Sequence, residues 1–275
     1  MTDEVAFEYL AHLLTVPVRA GGLEARFILD TGIGVNLISE ALAARIGCEP
    51  DGPEFRGRRM SGQELSIPLG SVASLDFGSC HGRDVPAGIF DMSAMAGLTG
   101  IDGFLSLSYF RATPVTIDYA AGLVVVEDGD SLARRAAAGA AVPVQVHRDG
   151  CSTDLRLGLD LPSGHPITVE VDTGSDVLIL NTPLAAHAGI DLREQASRTA
   201  EGQDETGRAF VRYFATIRGD VSVTAAPVIR TTDPDVMFQQ IIYDGLVGDR
   251  FLRNFTTTYD LANSRMIFAV PEREA

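Results

Sequence analysis

The stretch that decides the fold is Phe27-Ile28-Leu29-Asp30-Thr31-Gly32, because Val169-Glu170-Val171-Asp172-Thr173-Gly174 repeats its form far downstream. Either copy alone reads as a turn: three residues of a strand run into an acidic reversal, where Asp and Gly are ordinary for local reasons. The pair carries more. The two aspartates are 142 positions apart, and the same offset carries Gly47 onto Gly189, Asp102-Gly103-Phe104-Leu105 onto Asp244-Gly245-Leu246-Val247, and Thr116-Ile117-Asp118 onto Thr258-Tyr259-Asp260. A repeat of this length reads as an internal duplication, and it has to be recognised before any fold is assigned.

Around these turns the chain is built of short strands bounded by Gly, Pro, Asp and Asn. Gly21-Gly22 joins a first apolar segment to Ala25–Leu29 as a hairpin. Val35–Ile38 reads as a strand, and Ser39 as the cap of a short helix that Gly47 stops. Residues 57–77 read as a hairpin with a solvated polar end that could overhang a cleft. Val115–Tyr119 and Leu123–Val126 form the last hairpin of the first half. Residues 127–142, charged and then rich in Ala and Gly, read as a connector with one or two helical turns, Asp130-Ser131 as its cap and Pro143 as its boundary. In the second half Ile167, Val169 and Val171 alternate with Thr168 and Glu170, the signature of a half-buried strand. Thr182-Pro183 starts a helix, and a matching hairpin is expected around 201–207. The expected fold is mainly β, in two barrel-like lobes: 1–128, a linker 129–142, and 143–275.

Composition narrows the function. A chain of 275 residues with 45% hydrophobic and 21% charged residues is an ordinary globular protein. The formal net charge is −15 and every basic residue is Arg, which argues against nucleic acid. No apolar run approaches the roughly 20 residues of a membrane-spanning helix. The acidic start Met1-Thr2-Asp3-Glu4 is unlike a secretory signal, so a cytoplasmic location is expected, and with 29 residues before Asp30 no long prosegment is expected. Cys48, Cys80 and Cys151 read as free thiols. The five His residues show no metal spacing, so no metal or other cofactor is expected. Gly32-Ile33-Gly34 fails as a dinucleotide fingerprint because Leu37 stands at the third glycine position, and no Gly-x-Ser-x-Gly elbow occurs. A paired-carboxylate glycosidase is disfavoured by the absence of Trp and by the symmetry of the two turns.

The doubled apolar-apolar-Asp-Thr-Gly, the segments Gly103-Phe104-Leu105-Ser106 and Gly245-Leu246-Val247-Gly248, and Tyr259-Asp260-Leu261-Ala262-Asn263-Ser264 resemble the aspartic peptidases, and the retropepsin-like branch more than the pepsins. The resemblance implies a bilobal aspartic-peptidase fold with pseudo-two-fold symmetry and a cleft between two lobes fused in a single chain. It implies an aspartic endopeptidase in which Asp30 and Asp172 activate water, with a catalytically silent peptide-binding module of the same fold as the alternative. Thr31 and Thr173 would hydrogen-bond across the interface, while Gly32 and Gly174 let the backbone approach the carboxylates and Ser175 supports the second turn. Ser61, Gly62 and Gln63 would cover the substrate, with Gly202 and Gln203 as their second-half counterparts. The partner would be a peptide or unfolded protein, bound by a monomer. Two positions depart from the family's pattern: Ile33 stands where Ser, Thr or Ala is usual, which could raise the pKa of the neighbouring carboxyl, and Ser106 replaces a Gly. Neither hairpin carries the Tyr typical of pepsins.

Overall fold

The computed structural model describes residues 3–93, 95, 97–203 and 209–270. In the first half, the strands Leu13–Ala20, Leu23–Leu29, Gly103–Leu105, Leu37–Ser39, Cys80–Phe90 and Leu69–Phe77 pair in that order. The sheet closes on itself where Arg19 pairs with Asp76 and Ala20 with Leu75. Closure satisfies the strand edges and leaves one interior, filled by side chains such as Leu14, Val16, Phe27, Leu29, Leu75 and Phe77.

The second half forms a ten-stranded sheet whose middle is Leu178–Asn181, Gly245–Val247, Pro166–Val171 and Ser152–Asp160. A third sheet of six strands is drawn from both halves. At its centre Val115–Asp118 runs antiparallel to Thr256–Asp260. Thr116 faces Thr258 there, their hydroxyls 2.7 Å apart. The fold is therefore mainly β, as the sequence implies.

Local expectations hold where the signal is local. Helix Glu40–Ile46 is capped by the Ser39 hydroxyl, which accepts from Leu42 N at 3.1 Å, and Gly47 ends it with φ of 67°. The corresponding second-half element is shorter, a single 3-10 turn over Thr182–Ala185 with no side-chain cap.

The connector differs from its sequence reading. It holds a ten-residue helix, Gly129–Ala138, followed by the strand Ala140–Pro143, which pairs with Arg265–Ala269. The cap is Asp128, not Asp130-Ser131: its carboxylate accepts from Ser131 N at 2.8 Å while the Ser131 hydroxyl accepts from Asp128 N at 2.9 Å. This reciprocal box fixes the start of the helix two residues earlier than the expected cap. Pro143 ends a strand within a sheet and does not mark a break.

Among the described residues no helix is long and apolar enough to cross a membrane, and the three cysteines are free.

Candidate active site

Each acidic turn follows a buried strand that lies parallel to a short Gly-led strand. Ile28 stands beside Phe104 in the first half and Glu170 beside Leu246 in the second. The ladder continues one step, with Asp30 N donating to Leu105 O and Asp172 N to Val247 O, each at 3.0 Å. The two turns then meet. Thr31 Oγ1 donates to Val171 O at 2.7 Å and accepts from Thr173 N at 3.0 Å, while Thr173 Oγ1 donates to Leu29 O at 2.8 Å and accepts from Thr31 N at 3.1 Å. Both threonines are buried, at 1% and 0% exposure. Four hydrogen bonds shielded from water fix the two turns in one register.

The aspartates come together across this lock. A Cβ placed on Gly32 would lie 2.5 Å from Asp172 Oδ1, and one on Gly174 would lie 2.6 Å from Asp30 Oδ2. Each carboxyl thus rests against the other turn's glycine, at a distance no side chain tolerates. Gly32 N donates to Asp30 Oδ1 and Gly174 N to Asp172 Oδ1, both at 2.9 Å.

The pair is chemically unequal. Burial and the charge of Asp172 push the Asp30 carboxyl well above the usual carboxylate range, with the Gly32 N–H pulling in the opposite direction. Burial raises Asp172 too, but the Ser175 hydroxyl, donating to its Oδ2 at 2.6 Å, and the Gly174 N–H hold it back. The first-half counterpart of Ser175 is Ile33, which offers Asp30 no hydroxyl and instead packs into an apolar cluster with Ile28, Val35 and Phe104. Two adjacent half-buried carboxyls share a proton more readily than they both ionise, and the missing hydroxyl favours Asp30 as its holder.

Each half's opening hairpin also docks under the other half's turn. His12 Nε2 donates to Gly174 O at 3.0 Å, and Thr153 N donates to Gly34 O at 2.9 Å. Tyr9 OH donates to Asp249 Oδ1 at 3.0 Å. Arg111 braces the other side through Thr153 Oγ1 at 2.8 Å and Ser152 O at 2.6 Å. Ser106 is buried and fits its place: its N–H donates to Asn36 Oδ1 at 3.0 Å and its hydroxyl lies 2.6 Å from that of Ser108.

The hairpin Phe55–Arg58 with Glu64–Ile67 differs from the solvated end expected of it. Its tip, Met60 to Gln63, is half-buried, and Met60 O accepts from Ile242 N of the second half at 2.9 Å. Gly62 adopts φ of 82° in the turn, and the Ser61 hydroxyl is buried. Gly202 and Gln203 lie exposed on the edge strand Arg198–Gln203, paired with Phe210 and Ala209. The expected tip at 204–207 lies outside the described residues.

Residues 16–109 match the model of a family described as Aspartyl protease. That match supports an aspartic peptidase superfamily for this stretch of the chain. The matched stretch contains Asp30 and the hairpin tip, and it ends before the connector. No curated protein matches the chain.

Sequence reasoning passed over Glu170. Alternation put it with Thr168 on a half-exposed face, yet it is only 7% exposed. Burial first, then the charges of Asp172 and Asp154, raise its pKa to about 8, opposed by Arg156. An acidic residue two positions before the second Asp-Thr-Gly was the available signal. Two open depressions elsewhere, of ≈ 290 and ≈ 610 Å³, contain neither aspartate.

Proposed function

We propose that this protein is a retropepsin-like aspartic endopeptidase in which one chain supplies both halves of the site. The observation that carries the reading is the placement of each aspartate against the other turn's glycine. The ionised carboxylate takes a proton from a water between the pair, while the protonated partner donates to the scissile carbonyl. As in the known dyad of aspartic proteases, like charges about 3 Å apart do not both ionise. Acid-base groups so placed contribute roughly 10²- to 10⁴-fold in rate, and orientation in the cleft adds to it.

The substrate is a peptide or unfolded segment, laid extended under the hairpin tip and held by strand-like backbone pairing. The two lobes, 1–128 and 143–275, are the products of a duplication, which accounts for hydrogen bonds between residues 142 apart. A monomer then suffices, acting without metal or other cofactor.

Asp30→Asn and Asp172→Asn are each expected to abolish cleavage of a peptide library while leaving the circular dichroism spectrum unchanged. Full activity in either variant overturns the reading. Ile33, which leaves Asp30 without a hydroxyl donor, supports a second reading as a silent peptide-binding module. Binding of a statine-type inhibitor without hydrolysis at any pH would favour that one.

A further inference from the structure

The two walls beside the dyad are built on one plan but lined differently. In the first half Thr15 faces Ile28 across its strand pair, with Leu13 and Ile101 packed nearby in an apolar cluster. In the second half the corresponding pair is Arg156 facing Glu170, with Asp154 on the same face and Tyr243 where the 142 offset places Ile101. Beside the dyad, the aliphatic Ile28 and Ile101 of the first half are replaced by Glu170 and Tyr243.

Glu170 is more than nine-tenths buried and takes part in no hydrogen bond or ion pair among the described residues. Its side chain emerges on the face that carries Asp172, because Ile167, Val169 and Val171 point the other way into the core. Arg156, directly opposite, does not pair with it. The guanidinium lies over the Tyr243 ring instead, 5.2 Å from its centre. Tyr243 in turn adjoins Ile242, on which the hairpin tip rests. The largely buried carboxyl thus lies between the dyad and the hairpin with no protein group bonded to it, open to a partner supplied by a bound peptide.

We infer that Glu170 is the charge partner of a basic side chain, Lys or Arg, of the bound peptide, so that the second-half wall is a cationic-residue subsite. The inference rests on the peptidase reading for the identity of the ligand as a peptide. Once Glu170 is ionised the local balance favours a cation: Glu170, Asp154 and the single charge of the aspartate pair outnumber Arg156 and the hairpin's Arg58. The formal net charge of −15 draws basic peptides toward the whole molecule. Glu170 enters such a contact by losing its proton, so binding of the basic peptide strengthens as pH rises toward about 8.

The test uses peptide pairs that are identical apart from Lys or norleucine at each position flanking the scissile bond, with the full-length protein and its Glu170→Gln and Glu170→Ile variants. Wild type is expected to favour Lys at one position by about tenfold or more in kcat/KM. Glu170→Gln should erase that ratio, and Glu170→Ile, which copies the first-half wall, should reverse it. Equal use of Lys and norleucine by wild type, or a preference that survives both variants, overturns the subsite. Calorimetric binding of the same peptides to wild type and to the Asp30→Asn protein separates the two readings. Lys-selective binding by a wild type that cleaves nothing sinks the peptidase and leaves the subsite standing, whereas cleavage without Lys preference does the opposite. Failure to bind either peptide overturns both.

Discussion

The first acidic turn and the second share a backbone but not an environment. Asp30 has Ile28 behind it and Ile33 beyond it, both in an apolar cluster, whereas Asp172 has the buried carboxyl of Glu170 behind it and the Ser175 hydroxyl beyond it. Near-symmetric main-chain geometry therefore holds two aspartates whose protons are held unequally. The lesson is that a shared fold positions the carboxyls, while unshared neighbours divide their work.

The strongest way to break this comparison is to remove each carboxyl in turn: Asp30→Asn and Asp172→Asn should each cost at least ~10²-fold in kcat. A large loss from one and none from the other would show that the halves do not act as a pair.

The lock between the turns is the next target. In Thr31→Val, Thr173 N loses its acceptor and Val171 O its donor, both buried. Denaturant melts should show roughly 2–4 kcal/mol of lost stability, and Thr173→Val should match it by symmetry.

Glu170 gives the comparison a pH signature. Its folded pKa of about 8 lies above the ordinary value of 4.5, so between those limits the folded protein binds more protons than the unfolded one. Stability then falls as pH rises through that window. Glu170→Gln should flatten the slope, gaining at most about 4 kcal/mol on wild type at pH 8 and little near pH 5. Melting curves at both values check it.

Exchanging the two supports probes the dyad directly. Ile33→Ser supplies a donor to Asp30, the proton holder, and should shift the alkaline limb of kcat/KM downward by about one pH unit, while Ser175→Ala should shift the acid limb, set by Asp172, upward. The smallest effect concerns the outer helices. Ser39→Ala should cost about 1 kcal/mol, whereas the uncapped second-half turn has no equivalent contact to lose.

Much of the fold was legible because its signals are local. Strand alternation, Ser39 as a cap, Gly47 as a stop and the Gly21-Gly22 turn all depend on residues within a few positions. The connector misled because the cap of its helix, Asp128, lies just before the Ala-rich run, and the pairing of Ala140–Pro143 with Arg265–Ala269 joins segments more than a hundred residues apart. Glu170 misled for a related reason: alternation tells which face a side chain leaves by, not whether something later covers that face.

By itself the sequence determined that two acidic turns exist, that each ends a buried strand, and that a fixed spacing relates them, since turn chemistry and period-two burial are written in neighbouring residues. Only the tertiary structure decided that the threonines interlock, that His12 reaches Gly174, that the hairpin tip rests on Ile242 and that Glu170 is largely buried beside the dyad. Those contacts join residues distant along the chain, and their energies depend on burial and charge that exist only once the strands have packed.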